Sequence, residues 1–362
     1  MEFVIVALPT LLTVLVMKYM FNHEINTKEF FIHLGGGLLA AGLCLGITYG
    51  VLYSSMYDTE VWNGQVTGKS REVEICSGEM SSCKHYTLHT KCHTNSKGKQ
   101  SCKTYRVYDY PYEVDWFVKT NVGKTFEIER VNRQGTKEPP RYSQVQIGDF
   151  AAAKHNYINY LLGSEDSLFY AKMLKEDTDP NLVKVLPDYP QTFDYYKINH
   201  FVNLTPLVTP GYNGYLSEVL KTLGPTKQLN IVMVQYDYAL TAFPDAAIAK
   251  WRGGKKNDVI MFFGVDKDGT VKHFQSTSFA KGMKNELLHA TLRMEMIGAT
   301  MSLDTVKKAV EVTEKNFNRL PNEEFKYLVY KLQPTTGAML IAAFFSLLMS
   351  IGIGVYLRRV DL

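Results

Sequence analysis

The sequence has little net charge. Lys and Arg number 40 against 36 Asp and Glu, which leaves +4 over 362 residues. So small an excess gives no electrostatic footprint for nucleic acid, and no nucleic-acid partner is expected. Motifs that announce a chemistry are also missing: there is no nucleophile elbow, P-loop, HExxH or complete EF-hand loop. With 46% hydrophobic and 12% aromatic residues, the chain is neither disordered nor collagenous. Charge is scarcest in three places. Phe3 to Phe21 holds only Lys18, Phe30 to Tyr53 holds no acid or base besides His33, and Thr336 to Leu357 holds none. At about 20 residues each, these runs are long enough to cross a hydrocarbon core.

A cleaved signal peptide would explain the first run, but it calls for a basic n-region. Only Glu2 precedes the run, and a second apolar run follows after a short loop. The first run is therefore expected to be retained. Lys18 and Lys28 flank the first loop, and Arg358 and Arg359 follow the third run. All four are cytoplasmic at once if the N-terminus faces out. The expected topology is then helices near 3–21 and 30–53, a large extracytoplasmic segment, and a returning helix with a basic tail over 336–362. Gly42, Gly46 and Gly50 recur every four residues, and such stripes let helix backbones approach closely. Packing among the protein's own three spans and self-association into a homo-oligomer both fit them.

Cys44 falls inside the second run, while Cys76, Cys83, Cys92 and Cys102 cluster in the expected outside segment. An even set there reads as two disulfides, with Cys76–Cys83 and Cys92–Cys102 favoured because each clamps a turn-like segment. The alternative is a metal site with His85, His89 and His93 nearby, although Cys-x6-Cys and Cys-x9-Cys do not match zinc-knuckle spacing. Lys103 to Thr120 is rich in Tyr, Val, Phe and Trp, and Thr125 to Val131 alternates, so both read as strands, with Pro111 marking an edge or a break. Residues 55–146 are accordingly expected to form a disulfide-clamped antiparallel β-subdomain.

A helical connector is expected over 147–192, with helices at Ala151 to Leu162 and Ser167 to Leu174. From 193 to 335 helices and buried strands alternate. Tyr212 to Leu223 reads as a helix stopped by Gly224-Pro225, Gln228 to Gln235 as a buried strand, and Leu240 to Trp251 as a helix ended by Gly253-Gly254. Val259 to Val265 and Thr270 to Ser276 read as strands joined by an Asp268-Gly269 turn. Met283 to Ile297 and Ser302 to Leu320 read as helices, the second capped by Ser302 and supported by Asp304–Lys308 and Glu311–Lys315 pairs. Such alternation implies a sheet covered on both faces.

The run LNIVMV, followed by a helix ending in AKWRGGKKNDVIMFFGVDKDGTVKHF, resembles the TPM-domain family. Trp251, Gly254, Lys255, Asn257 and Asp258 carry the match, which spans Phe193 to Leu320. The resemblance implies a TPM-like α/β/α domain anchored in a membrane, in a phage or bacterial protein of the inner membrane. The expected fold class is thus an α+β membrane protein with three transmembrane helices, a disulfide-clamped β-subdomain and this α/β/α domain.

Two functions follow. One is a membrane-anchored extracytoplasmic interaction or scaffold protein in the lipid bilayer, self-assembling or joined to a membrane-protein partner, without cofactor. The other, implied by the resemblance, is a divalent-metal-dependent phosphatase-like hydrolase. Asp237, Asp245 and Asp258 could hold its cation if they gather at strand ends, and capping or solvated turns would explain them otherwise. The basic Arg252 to Lys256 loop reads as solvated, and Asp266-x-Asp268-Gly269 as a hairpin turn.

Overall fold

The computed structural model describes residues 2–94, 96–162, 182 and 184–360. They form two compact units, the first within Met1–Asp58, Tyr157–Asp177 and Pro321–Leu362, the second within Thr59–Asn156 and Thr178–Leu320.

The first unit is a bundle of three apolar helices, α1 (Glu2–Met20), α2 (Thr27–Ser55) and α8 (Thr336–Arg359), all long and apolar enough to cross a membrane. A capping box opens α2. The Asn26 side chain accepts from the Glu29 N–H at 2.9 Å, and the Glu29 carboxylate accepts from the Asn26 N–H at 2.7 Å. Small residues and polar pairs hold the bundle together. A Cβ on Gly37 would lie 2.5 Å from the Thr10 methyl, and one on Gly354 would lie 2.8 Å from the His33 ring. The Thr10 and Ser346 hydroxyls meet at 2.6 Å, and His33 Nε2 lies 2.9 Å from the Ser350 carbonyl. Arg358 pairs with Glu24 of the α1–α2 loop and lies 4.1 Å from the Phe21 ring centroid. Lys18, Lys28, Arg358 and Arg359 therefore share one end of the bundle.

The second unit contains two four-stranded sheets and a separate two-stranded ribbon. One sheet has the order β5-β4-β1-β6, from β1 (Tyr57–Ile75), β4 (Tyr112–Thr120), β5 (Thr125–Ile128) and β6 (Phe150–Ile158). Its core joins Val66, Trp116, Val118 and Ile128 to Tyr142 of the short α3 (Pro140–Gln144). Between β1 and β4 the chain makes the ribbon, β2 (Tyr86–Thr94) against β3 (Gln100–Tyr108). The strand-like stretch from Lys103 to Thr120 is therefore two strands, broken at residues 109–111 around Pro111.

The other sheet has the order β10-β9-β8-β7, from β7 (Phe201–Asn203), β8 (Asn230–Asp237), β9 (Asp258–Val265) and β10 (Val271–Ser278). β7, β8 and β9 run parallel, and β10 returns antiparallel after a turn in which the Gly269 N–H donates to the Asp266 carbonyl at 3.1 Å. The strand period of two sends Ile231, Met233, Met261 and Phe263 to one face, against α4 (Tyr212–Lys227), α6 (Glu286–Met296) and α7 (Leu303–Asn316). Val232, Val234, Ile260 and Phe262 face α5 (Phe243–Lys250) and Trp251 on the other side. Burial on both faces is why β8 and β9 read as unbroken apolar runs.

Three expectations require correction. The expected Ala151 to Leu162 helix is instead the strand β6, which runs to Ile158 and is followed by a 3-10 turn at Tyr160–Leu162. Alanine favours helix, but Ala151 and Ala152 are buried in different clusters on alternate sides of the strand, so tertiary packing overrides propensity. The α4 helix does not stop at Gly224-Pro225 but continues to Lys227. Gly224 serves close approach instead, since a Cβ there would sit 2.1 Å from the Asn63 carbonyl oxygen. On α7 the ion pairs are Asp304–Lys307 and Lys308–Glu311, one residue closer than the expected i, i+4 spacing. The expected Ser167 to Leu174 helix lies outside the described residues.

Candidate interaction surfaces

The glycine stripe lies on α2 away from the bundle contacts. Gly37, Ala40, Ala41 and Cys44 face inward and are buried, whereas Gly42, Gly46 and Gly50 are exposed. A Cβ on Gly42 would meet only Phe3 at 3.9 Å, and at Gly46 and Gly50 it would meet nothing within 4 Å. Packing of the protein's own spans therefore does not account for the stripe. Between α2 and α8 the bundle also carries an apolar groove of about 610 Å³, lined by Cys44, Ile47, Val51, Ile341, Phe345 and Met349 among others.

Cys76, Cys83, Cys92 and Cys102 of the second unit form the disulfides Cys76–Cys83 and Cys92–Cys102, and Cys44 is a buried free thiol. The Glu113 carboxylate lies close to the Cys76 and Cys83 sulfurs, but those sulfurs are bonded to each other. Glu113 is itself engaged: its Oε2 accepts from Arg130 at 2.6 Å and from the Lys84 N–H at 3.1 Å, and its Oε1 accepts from the His85 N–H at 3.0 Å. Burial pushes the Glu113 carboxyl up, but Arg130 and these N–H donors outweigh it and hold it down at about 2. The arrangement fastens the base of the ribbon to β4.

The three aspartates do not gather. Asp258 pairs with Asn230 at one end of the parallel β8–β9 ladder, and Asp237 pairs with Val265 at the other. At about 3.3 Å per residue, the two ends are separated by roughly 23 Å. Asp245 sits in the first turn of α5, where its Oδ1 accepts from Gln275 at 2.7 Å.

Asp258 instead anchors a buried polar network that ties β1 to the parallel sheet. It accepts from Asn230 at 2.8 Å, from the Tyr189 hydroxyl at 3.0 Å and from the Lys255 N–H at 2.7 Å. Asn63 of β1 donates to Asn230 at 2.8 Å, and His200 Nε2 lies 3.3 Å from Asn63 Oδ1. Burial pushes the Asp258 carboxyl up to about 6 against those donors, and burial pulls His200 down to about 3. These values follow from the cost of desolvating charge.

A second titratable cluster joins β10 to α6. His289 Nδ1 lies 2.8 Å from the Ser276 hydroxyl, and its Nε2 lies 3.0 Å from that of Ser278. Burial lowers the imidazole to about 4, so it is neutral at physiological pH. A neutral ring accepts from one serine and donates to the other. The adjoining cleft of about 400 Å³ is lined by His273, Phe274, Gln275, Ser276, His289, Ala290 and Arg293. Both ring nitrogens are taken by the two serines rather than one by an orienting carboxylate, although Glu286 is near enough to act on the ring through space. We read the cluster as a clasp between strand and helix. Its signal, a pair of serines alternating along β10, becomes meaningful only once α6 is placed beside them.

No protein-family model matches the chain, and no curated protein or solved structure matches it either.

Proposed function

We propose that this is a membrane-anchored interaction protein that self-assembles through α2 and carries its disulfide-bonded unit outside the cytoplasm, in the inner membrane of a bacterium. The outward glycine stripe carries this reading. In a bilayer, helix association draws on close packing rather than on the hydrophobic effect, so a smooth exposed stripe favours a second helix over lipid. The four basic residues at one end of the bundle support a cytoplasmic loop and C-terminus. The two disulfides support an oxidising compartment for the other unit. Against the TPM-like, metal-dependent hydrolase reading stands the placement of Asp237 and Asp258 at opposite ends of the β8–β9 ladder.

The test is the oligomeric state in mild detergents and nanodiscs. Wild type is expected to be oligomeric, and Gly46→Leu to shift it to monomer while both units remain folded. A wild-type monomer under all these conditions removes the reading.

A further inference from the structure

The β2–β3 ribbon is a sheet of its own, almost wholly exposed along both strands. An isolated hairpin is marginal in water, and here the Cys92–Cys102 bond ties directly opposed residues. Its charge is one-sided. No Asp or Glu occurs between Glu79 and Asp109, while Lys91, Lys97, Lys99, Lys103 and Arg106 bring five positive charges, more than the net +4 of the whole chain. Lys84, before the first strand, is paired with Glu127 at 2.7 Å. The register sharpens this. Lys91 stands directly opposite Lys103, His89 opposite Tyr105, His93 opposite Ser101 and Thr87 opposite Val107, all on the face away from the disulfide. Like charges directly opposed across a ladder are unfavourable without an anion. Glu79 lies 2.8 Å from Lys103, but both side chains are well exposed, at 61% and 77%, so this pair screens weakly. Tyr105 and Val107 are exposed on the same face, at 40% and 41%.

We propose that this face docks on an anionic phospholipid surface, with the lysines on phosphate and Tyr105 and Val107 at headgroup level. Lysines beside exposed tyrosine and valine are the chemistry of a membrane interface, where charge and amphipathic side chains act together. Each lysine near an anionic leaflet raises affinity about fivefold. The choice of lipid rests on the membrane-anchored reading above, whereas the charge of the ribbon does not. A two-stranded ribbon also fits the DNA major groove, so duplex DNA is the comparison probe.

Full-length protein in zwitterionic nanodiscs is mixed with phosphatidylcholine vesicles with or without phosphatidylglycerol, and with duplex DNA. The expected result is salt-sensitive binding that requires phosphatidylglycerol. The combined Lys91→Glu, Lys97→Glu and Lys99→Glu changes should weaken it at least tenfold, with the melting temperature unchanged. The milder Lys→Gln set at the same positions should fall between and covers the case in which charge reversal disturbs the ribbon. Equal binding to both vesicle types, wild-type binding by the folded variants, or ribbon-dependent binding to DNA alone would overturn the assignment. A monomeric protein that still binds phosphatidylglycerol vesicles would retain this inference and remove self-assembly.

Discussion

The β8–β9 pair and the β2–β3 ribbon are strands of similar length held together by different physics. In β8 every residue except Asp237 is buried, and in β9 all are. In β2 no residue is buried, and in β3 none is either. The first pair is stabilised by apolar area removed from water on both faces and contains no cysteine. The second has no such core, and a covalent bond takes its place. Freed from packing, the ribbon can carry exposed charge, whereas the sheet keeps its aromatic groups, Tyr236, Phe262 and Phe263, buried.

The largest effect that would break this comparison is in the sheet. Phe263→Ala removes a fully buried ring packed 5.0 Å from Phe274, and should cost about 3–5 kcal/mol in denaturant unfolding. A loss below about 1 kcal/mol would mean that burial does not dominate there.

Acid should also act on the sheet unit. Between pH 6.5 and 4 the unfolded chain protonates His200 and His289, whose folded values are pulled down to about 3 and about 4. That uptake favours unfolding as pH falls. Asp258 acts oppositely, because its folded carboxyl takes a proton near 6 while an ordinary Asp waits until 3.8. Between pH 6 and 5, above the range in which the unfolded Glu113 carboxyl takes up its proton at about 4.5, the balance is one proton, so stability should fall by about 1.4 kcal/mol over that unit. Melting curves for His289→Gln should be nearly flat over that window, and an unchanged slope would show that His289 is not the source.

Within the helical unit, α2 offers a smaller contrast between its own two faces. Gly37→Leu drives a side chain into Thr10 and should destabilise the bundle by about 1–3 kcal/mol. Gly46→Leu points into open space and should leave the monomer's melt unchanged. Equal losses from both would place the stripe inside the bundle.

The smallest effect belongs to the ribbon. Replacing Cys92 and Cys102 by Ser should shift the global melt by less than about 0.5 kcal/mol. Hydrogen exchange along residues 86–94 and 100–108 should nevertheless become fast, since local opening no longer meets a covalent limit. A large global loss would show that the ribbon supports the unit from which it extends.

The sequence alone determined what depends on local composition and short spacing. The three apolar runs, the doubly buried strands at LNIVMV and VIMFFGV, the Ser302 cap and the two short-range cysteine pairs were all legible, because each is set by neighbours within a few residues. Tertiary structure decided what depends on partners distant in sequence. Ala151 to Ala153 join a strand because β1 lies beside them, against alanine's own preference. Position 224 takes glycine inside a helix because the Asn63 carbonyl leaves no room there for a Cβ. The glycine stripe turns outward because Gly37 and Ala41 occupy the inner face, and Asp237 and Asp258 separate because β8 and β9 run parallel. Lys91 meets Lys103 only through the ladder register, so the run free of acids was visible in the sequence while the opposed charges were not.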